Sequence, residues 1–136
     1  MATVELTAGN FEPVVDEGGL VLVDFWAAWC GPCRMFAPVF DRASERHPDA
    51  VFAKVDTEAQ PDLAAGFGIT SIPTLMIIRD KVVLYAQPGA LPEQALEQLI
   101  TQAREIDMDE VRASLPATRR ARRRVATSGA DGQGGA

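Results

Sequence analysis

Histidine occurs once in this 136-residue chain, at position 47, and cysteine twice, as Cys30 and Cys33. So few ligand-type residues disfavour structural zinc, which takes four sulfur or nitrogen donors. Two cysteines with two residues between them close only a very small loop, so no disulfide framework holds the fold. No apolar run approaches the ~20 residues of a membrane-spanning helix. The opening residues, Met1-Ala2-Thr3-Val4-Glu5, lack the basic and apolar regions of a secretory signal, and a cytoplasmic location is expected. Lysine is scarce as well, and the 13 basic residues are outnumbered by 19 acidic ones. Residues 1–106 carry 15 acids and 7 bases, whereas residues 107–136 carry 4 and 6. An acidic body offers no basic face to phosphates, which argues against nucleic acid as a partner.

What is present describes a single globular domain. Apolar residues make up 47% of the chain and charged residues 24%, enough to build one core and avoid general disorder. Two regimes divide the sequence. Residues 1–106 alternate strand-like runs with helical stripes and form the expected domain. Residues 107–136 lose large apolar side chains and read as a largely disordered extension, Arg-rich at Arg119–Arg124 and Gly-rich at the end. The arginine run suits RNA, a membrane or an acidic protein patch, but a solvated extension is the simpler reading.

Within the domain, Leu20-Val21-Leu22-Val23-Asp24-Phe25-Trp26 reads as a central strand buried on both faces. Met35, Phe36, Val39, Phe40 and Ala43 follow at helical spacing, and His47-Pro48 ends that helix. Val51–Asp56 reads as a strand, Asp62–Phe67 as a short helix, and Thr74–Ile78 with Val82–Tyr85 as a hairpin across Arg79-Asp80-Lys81. Ala95, Leu96, Leu99, Ile100 and Ala103 form the stripe of a final helix. A strand at Val4–Leu6 and a helix at Phe11–Asp16 precede them. The order β-α-β-α-β-α-β-β-α predicts an α/β fold, a mixed sheet with helices on both faces.

The chemistry is concentrated in Trp29-Cys30-Gly31-Pro32-Cys33, which follows the buried strand and opens a helix. Unpaired N–H groups and the positive dipole end at that point stabilise a thiolate. Three readings of the pair compete: half a zinc site, two inert core thiols, or a dithiol/disulfide redox couple. The strand-to-helix context favours the redox couple, and no metal is expected. Asp24, inside the apolar strand, is a second candidate, because burial without water pushes a carboxyl toward neutrality.

The segment Val23-Asp24-Phe25-Trp26-Ala27-Ala28-Trp29-Cys30-Gly31-Pro32-Cys33-Arg34-Met35 closely resembles the active-site region of the thioredoxin family. The likeness continues through Ala37-Pro38, Lys54-Val55-Asp56, Gly68-Ile69-Thr70-Ser71-Ile72-Pro73-Thr74-Leu75 and Gly89-Ala90-Leu91, over about residues 3–105. It implies a thioredoxin fold, with a central mixed five-stranded sheet flanked by helices on both faces. It implies a protein-disulfide reductase in which Cys30 attacks, Cys33 resolves, and Asp24 accepts the Cys33 proton near Lys54. It implies a cis peptide before Pro73, and a docking rim of Trp29, Gly31, Pro32, Ile72, Pro73, Gly89 and Ala90. No cofactor is bound on this reading. Having no Gly-x-Gly-x-x-Gly fingerprint, the chain would receive electrons from NADPH through a separate thioredoxin reductase, pass them to disulfide-containing proteins, and work as a monomer.

Several positions depart from the family pattern. Arg79-Asp80-Lys81 stands where an Asn-Gly type of turn is usual. Pro88 removes a backbone donor at the rim. Pro92 replaces a serine-like helix cap and reads as a first helical residue. Ala28 and Arg34 flank the cysteines where acidic residues and lysine are common.

Overall fold

The computed structural model describes residues 2–114. Within residues 1–105 the elements run β1 (Thr3–Glu5), α1 (Phe11–Gly18), β2 (Leu20–Trp26), α2 (Gly31–Arg46), β3 (Val51–Asp56), α3 (Pro61–Gly66), β4 (Thr74–Arg79), β5 (Val82–Pro88) and α4 (Glu93–Glu105). The strands form one sheet in the order β1-β3-β2-β4-β5. β1, β3 and β2 run parallel, and β4 and β5 are antiparallel additions. This is the α/β mixed five-stranded sheet that the element order predicts.

Alternation along β2 sorts the two cores. Leu20 and Leu22 point to one face, with Phe36 and Phe40 of α2, Phe52 of β3, and Leu96 and Ile100 of α4. Val21, Val23 and Phe25 point to the other, with Val15 of α1, Ala53 and Val55 of β3, and Ala64 of α3. Both faces of the strand are therefore dry, and Leu20 through Phe25 are all buried. Asp24 belongs to the even-numbered series, so its carboxyl is set among the side chains that face α2 and α4.

His47 departs from the surface position that its place at a helix end suggests. It caps the C-terminus of α2, with 19% of its side chain exposed. Its Nε2 lies 2.8 Å from Glu97 Oε1, its Nδ1 lies 3.0 Å from Arg104 Nη2, and its ring stacks on Phe52. Arg46 also bonds Glu97, and Arg104 forks onto Asp49, so the end of α2 is tied to α4 by charged hydrogen bonds.

The β4–β5 hairpin keeps a two-residue loop. Arg79 pairs with Val82, and Asp80 and Lys81 both have positive φ, 51° and 70°. Two left-handed residues are what a type I′ hairpin requires, and here neither is glycine. At the other end of β5, α4 starts at Glu93, so Pro92 precedes the helix and gives its carbonyl to the Leu96 amide.

A second unit begins at Ile106. Its α5 spans Met108–Ser114, a helix that the reading of 107–136 as an extension left out. Asp107 Oδ1 accepts from the amides of Asp109 and Glu110, a side-chain cap that starts the helix. Arg119–Arg124 and the Gly-rich end lie outside the described residues.

Candidate active site

β2 delivers the chain to the site and α2 begins there. A turn closed by the Cys30 amide on Ala27 O (3.2 Å) carries Trp29 between them. Cys30 is the N-cap of α2, and Gly31 and Pro32 form its first positions, where a missing N–H costs nothing. Cys30 and Cys33 form a disulfide across a Cα separation of 5.2 Å. The Cys30 sulfur accepts the Cys33 amide at 3.1 Å, so one of the helix's unpaired donors points at it. The same sulfur lies 3.7 Å from Ile72 O. Trp26, Ala27 and Ile72 pack around the two cysteines, both of which are buried.

The residues expected to form the docking rim come from three loops. The Ile72–Pro73 peptide is cis, as the family resemblance implies. Pro73 is buried and Ile72 half-buried. Gly89 donates its amide to Pro73 O at 2.8 Å, which brings the exposed Gly89-Ala90 loop beside the cis-proline. Gly89 has φ 116°, a conformation that side chains resist. The amide lost at Pro88 leaves this contact intact, because the next residue supplies the donor.

Trp29 is 67% exposed, yet its indole is held: Nε1 donates to Glu58 Oε2 at 3.2 Å. Glu58 is held in turn by an Asx-type turn, in which Asp56 Oδ1 accepts the amides of Glu58 and Ala59. Thr57 ties this loop to β2 through two bonds to Trp26 O. On the helix side, Arg34 folds back and donates from Nη1 to Ala28 O at 2.8 Å. Neither Glu58 nor the Arg34 latch figures among the candidates read from the sequence. Glu58 is 29 residues from its partner, and no local pattern announces it.

Asp24 is fully buried, and neither carboxylate oxygen has a hydrogen-bond partner. Burial drives its pKa up from 3.8 to about 7, the Lys54 charge opposes that rise, and Asp41 of α2 adds to it. Lys54 pairs with Asp24 in the β2–β3 register, and its Nζ stands 5.2 Å from the centre of the Trp26 ring. Asp41 is a further residue of this cluster that sequence reading missed. Among the described residues, no group of three or more His, Cys, Asp or Glu side chains could hold a metal ion.

A family model described as Thioredoxin matches residues 2–102. The chain belongs to the thioredoxin family. A protein described as putative thioredoxin 2 from Streptomyces coelicolor is 61% identical over 114 residues, covering 84% of this chain and 85% of that one. Thioredoxin from Alicyclobacillus acidocaldarius is 44% identical over 71% of this chain and 92% of its own. Among solved structures, a mutant thioredoxin from Halobacterium salinarum superposes with a TM-score of 0.72 at 32% identity, covering 77% of this chain and 93% of that one. Plasmodium falciparum thioredoxin gives 0.68 at 33%, covering 74% and 98%. The Cys30–Cys33 couple on a thioredoxin fold is a thiol–disulfide oxidoreductase centre, and the protein is a protein-disulfide reductase. None of its described helices is long and apolar enough to cross a membrane.

Proposed function

We propose that the protein is a general reductase of protein disulfides, working as a monomer in the cytoplasm, with Cys30 attacking and Cys33 resolving. The observation that carries the assignment is the Cys33 amide aimed at the Cys30 sulfur at the start of α2. A negative charge on Cys30 gains that hydrogen bond and the helix dipole.

The exchange proceeds in two balanced steps. The Cys30 thiolate attacks one sulfur of a substrate disulfide; the other leaves as a thiolate and takes a proton from water. Cys33 then gives its proton through water to Asp24 and attacks Cys30. The Cys30–Cys33 disulfide forms, and the second substrate sulfur leaves reduced. Two electrons have moved from the protein to the substrate. An aspartate poised near pH 7 is suited to accept and release that proton. Lys54 sets the balance by favouring the charged carboxylate. Trp29, Gly31, Pro32, Ile72, Pro73, Gly89 and Ala90 form the surface on which an extended substrate segment docks.

Electrons return to Cys30–Cys33 from NADPH through a separate thioredoxin reductase, because the sequence carries no dinucleotide fingerprint. The acidic body argues against nucleic acid as a partner. Residues 107–136 stand as an extension that reduction does not require.

The test is NADPH oxidation in the presence of thioredoxin reductase and insulin. Turnover that depends on the protein and vanishes in Cys30→Ser supports the reading. Insulin left intact by the reduced protein overturns it.

A further inference from the structure

Most of the arginines among the described residues are committed. Arg42, Arg46, Arg104 and Arg112 each pair with a carboxylate, and Arg79 donates to carbonyls at the end of α4. Arg34 differs. It is exposed, one residue past Cys33, and it pairs with no carboxylate among the described residues. Its main-chain amide donates to Cys30 O at 3.2 Å. Its side chain turns back over the turn that carries Cys30, with Nη1 on Ala28 O and Nη2 4.0 Å from where a Cβ on Gly31 would stand.

A guanidinium has five N–H donors, and a neutral carbonyl takes one without cancelling any charge. A full positive charge therefore sits over the Ala28–Gly31 turn that carries Cys30. It does so in a region of the chain, residues 1–106, whose 15 acids exceed its 7 bases. The latch to Ala28 O holds it there, so little side-chain entropy remains to be lost when a partner arrives.

We propose that Arg34 is a specificity-determining residue, receiving a carboxylate that flanks the target cysteine of a substrate. The inference rests on the reductase reading above and names the substrates which that site prefers. A segment docked on Trp29, Gly31 and Pro32 carries the neighbours of its reactive cysteine over Gly31, beside the guanidinium. An Asp or Glu at that place matches the guanidinium fork. An Asn makes the weaker neutral contact, and a Lys is repelled. The pair is solvent-exposed, so the preference is modest, about two- to fivefold in rate.

The experiment mixes the reduced protein with three disulfide-linked peptides that differ only in carrying Asp, Asn or Lys beside the target cysteine. Second-order rate constants are read from tryptophan fluorescence. Each is divided by the rate with dithiothreitol, which removes the flank's effect on the peptide's own chemistry. The expected order is Asp, Asn, Lys, with the Asp-to-Asn ratio about two to five at low salt and shrinking in 0.5 M sodium chloride. Arg34→Gln, which can still donate to Ala28 O, brings the ratio to about one, and Arg34→Glu inverts the order. A ratio is indifferent to any loss of rate that all three peptides share. Equal rates with the Asp and Asn peptides, or a preference that survives Arg34→Gln, overturns the inference and leaves the reductase reading standing. Failure to reduce any of the three overturns both.

Discussion

Asp24 and Lys54 stand opposite each other in the parallel β2–β3 register, but their side chains end in different surroundings. The carboxyl is fully buried without a hydrogen bond, while the ammonium reaches the Trp26 ring. Lysine thus tempers the carboxyl's desolvation without abolishing it, and the pKa comes to rest at about 7. That single number connects the stability of the sheet to the proposed chemistry of the sulfurs.

Asp24→Asn is expected to stabilise the oxidised protein by ~1–3 kcal/mol at pH 8. The gain stays below the full cost of the buried charge because an amide in the same dry site lacks partners too. The folded pKa, about 7, lies above the ordinary carboxylate value of 3.8. The folded state therefore binds more protons between the two, and the wild type loses stability as pH rises through that window. The contribution of Asp24 is most favourable below about pH 4 and levels off above about pH 7. The difference between wild type and Asp24→Asn carries this slope, because the paired carboxylates Asp49 and Glu97 act equally on both proteins. Urea midpoints of both proteins from pH 4 to pH 8 check it. A variant less stable at every pH would make Asp24 a structural hub instead.

The two cysteines should fail differently when replaced. Cys30→Ser removes the nucleophile and abolishes turnover. Cys33→Ser still attacks but cannot resolve, so substrate stays bound as a mixed disulfide on Cys30. Mass spectrometry of the trapped adducts reads the assignment directly. Adducts that accumulate on Cys33 in the Cys30→Ser protein, at the level seen on Cys30 in the reciprocal variant, would reverse the roles. Asp24→Asn is expected to prolong the mixed disulfide, because Cys33 loses its proton acceptor.

The residues that sequence reading found and those it missed differ in kind. The β2 run, the helical stripes and the Cys-Gly-Pro-Cys segment are local patterns, written in consecutive residues or at fixed periods. Their elements stand where the patterns put them. The latch on Trp29 is not local: Glu58 arrives from the loop after β3, and only the parallel β2–β3 register brings the two together. Asp41 is likewise one acid on a helix until the packing of α2 brings its charge near enough to raise the Asp24 pKa. His47 looks like a surface residue because its partners, Glu97 and Arg104, lie about fifty residues onward in α4. The start of α5 was legible in principle. Asp107 followed by Asp109 and Glu110 is a capping residue with an acidic first turn, overlooked because the segment lacks a strong apolar stripe.

Lys81 carries a left-handed backbone, φ 70°, that a lysine adopts only at a cost. Lys81→Gly should therefore stabilise the protein by ~1 kcal/mol, net of glycine's greater freedom in the unfolded chain. The melting temperature should rise by roughly 3–5 °C. Insulin reduction is the control, because the hairpin loop lies at the opposite end of β4 from Pro73. No rise, or a fall, would mean that the lysine side chain gives the turn more than its backbone conformation costs.

Truncation after Glu105 should leave the reductase intact. The last turn of α4 is fastened from within residues 1–105. Arg79 donates to the carbonyls of Ala103 and Arg104, closing the helix end. Arg104 forks onto Asp49 and touches His47. Leu96, Ile100 and Ala103 fill the core beneath α2 and β2. The disulfide, the cis-proline loop, Glu58 and Arg34 all lie within the same span. The shortened protein is expected to melt within about 2 °C of the full chain, since it keeps every one of these fastenings of α4. Its rate of insulin reduction should stay within about twofold, a change of under ~0.5 kcal/mol in the barrier. Thermal melts by circular dichroism and the NADPH-coupled assay measure both. A fall of more than about 5 °C would show that residues after 105 contribute roughly 1 kcal/mol or more to the domain, and that the boundary lies further along the chain.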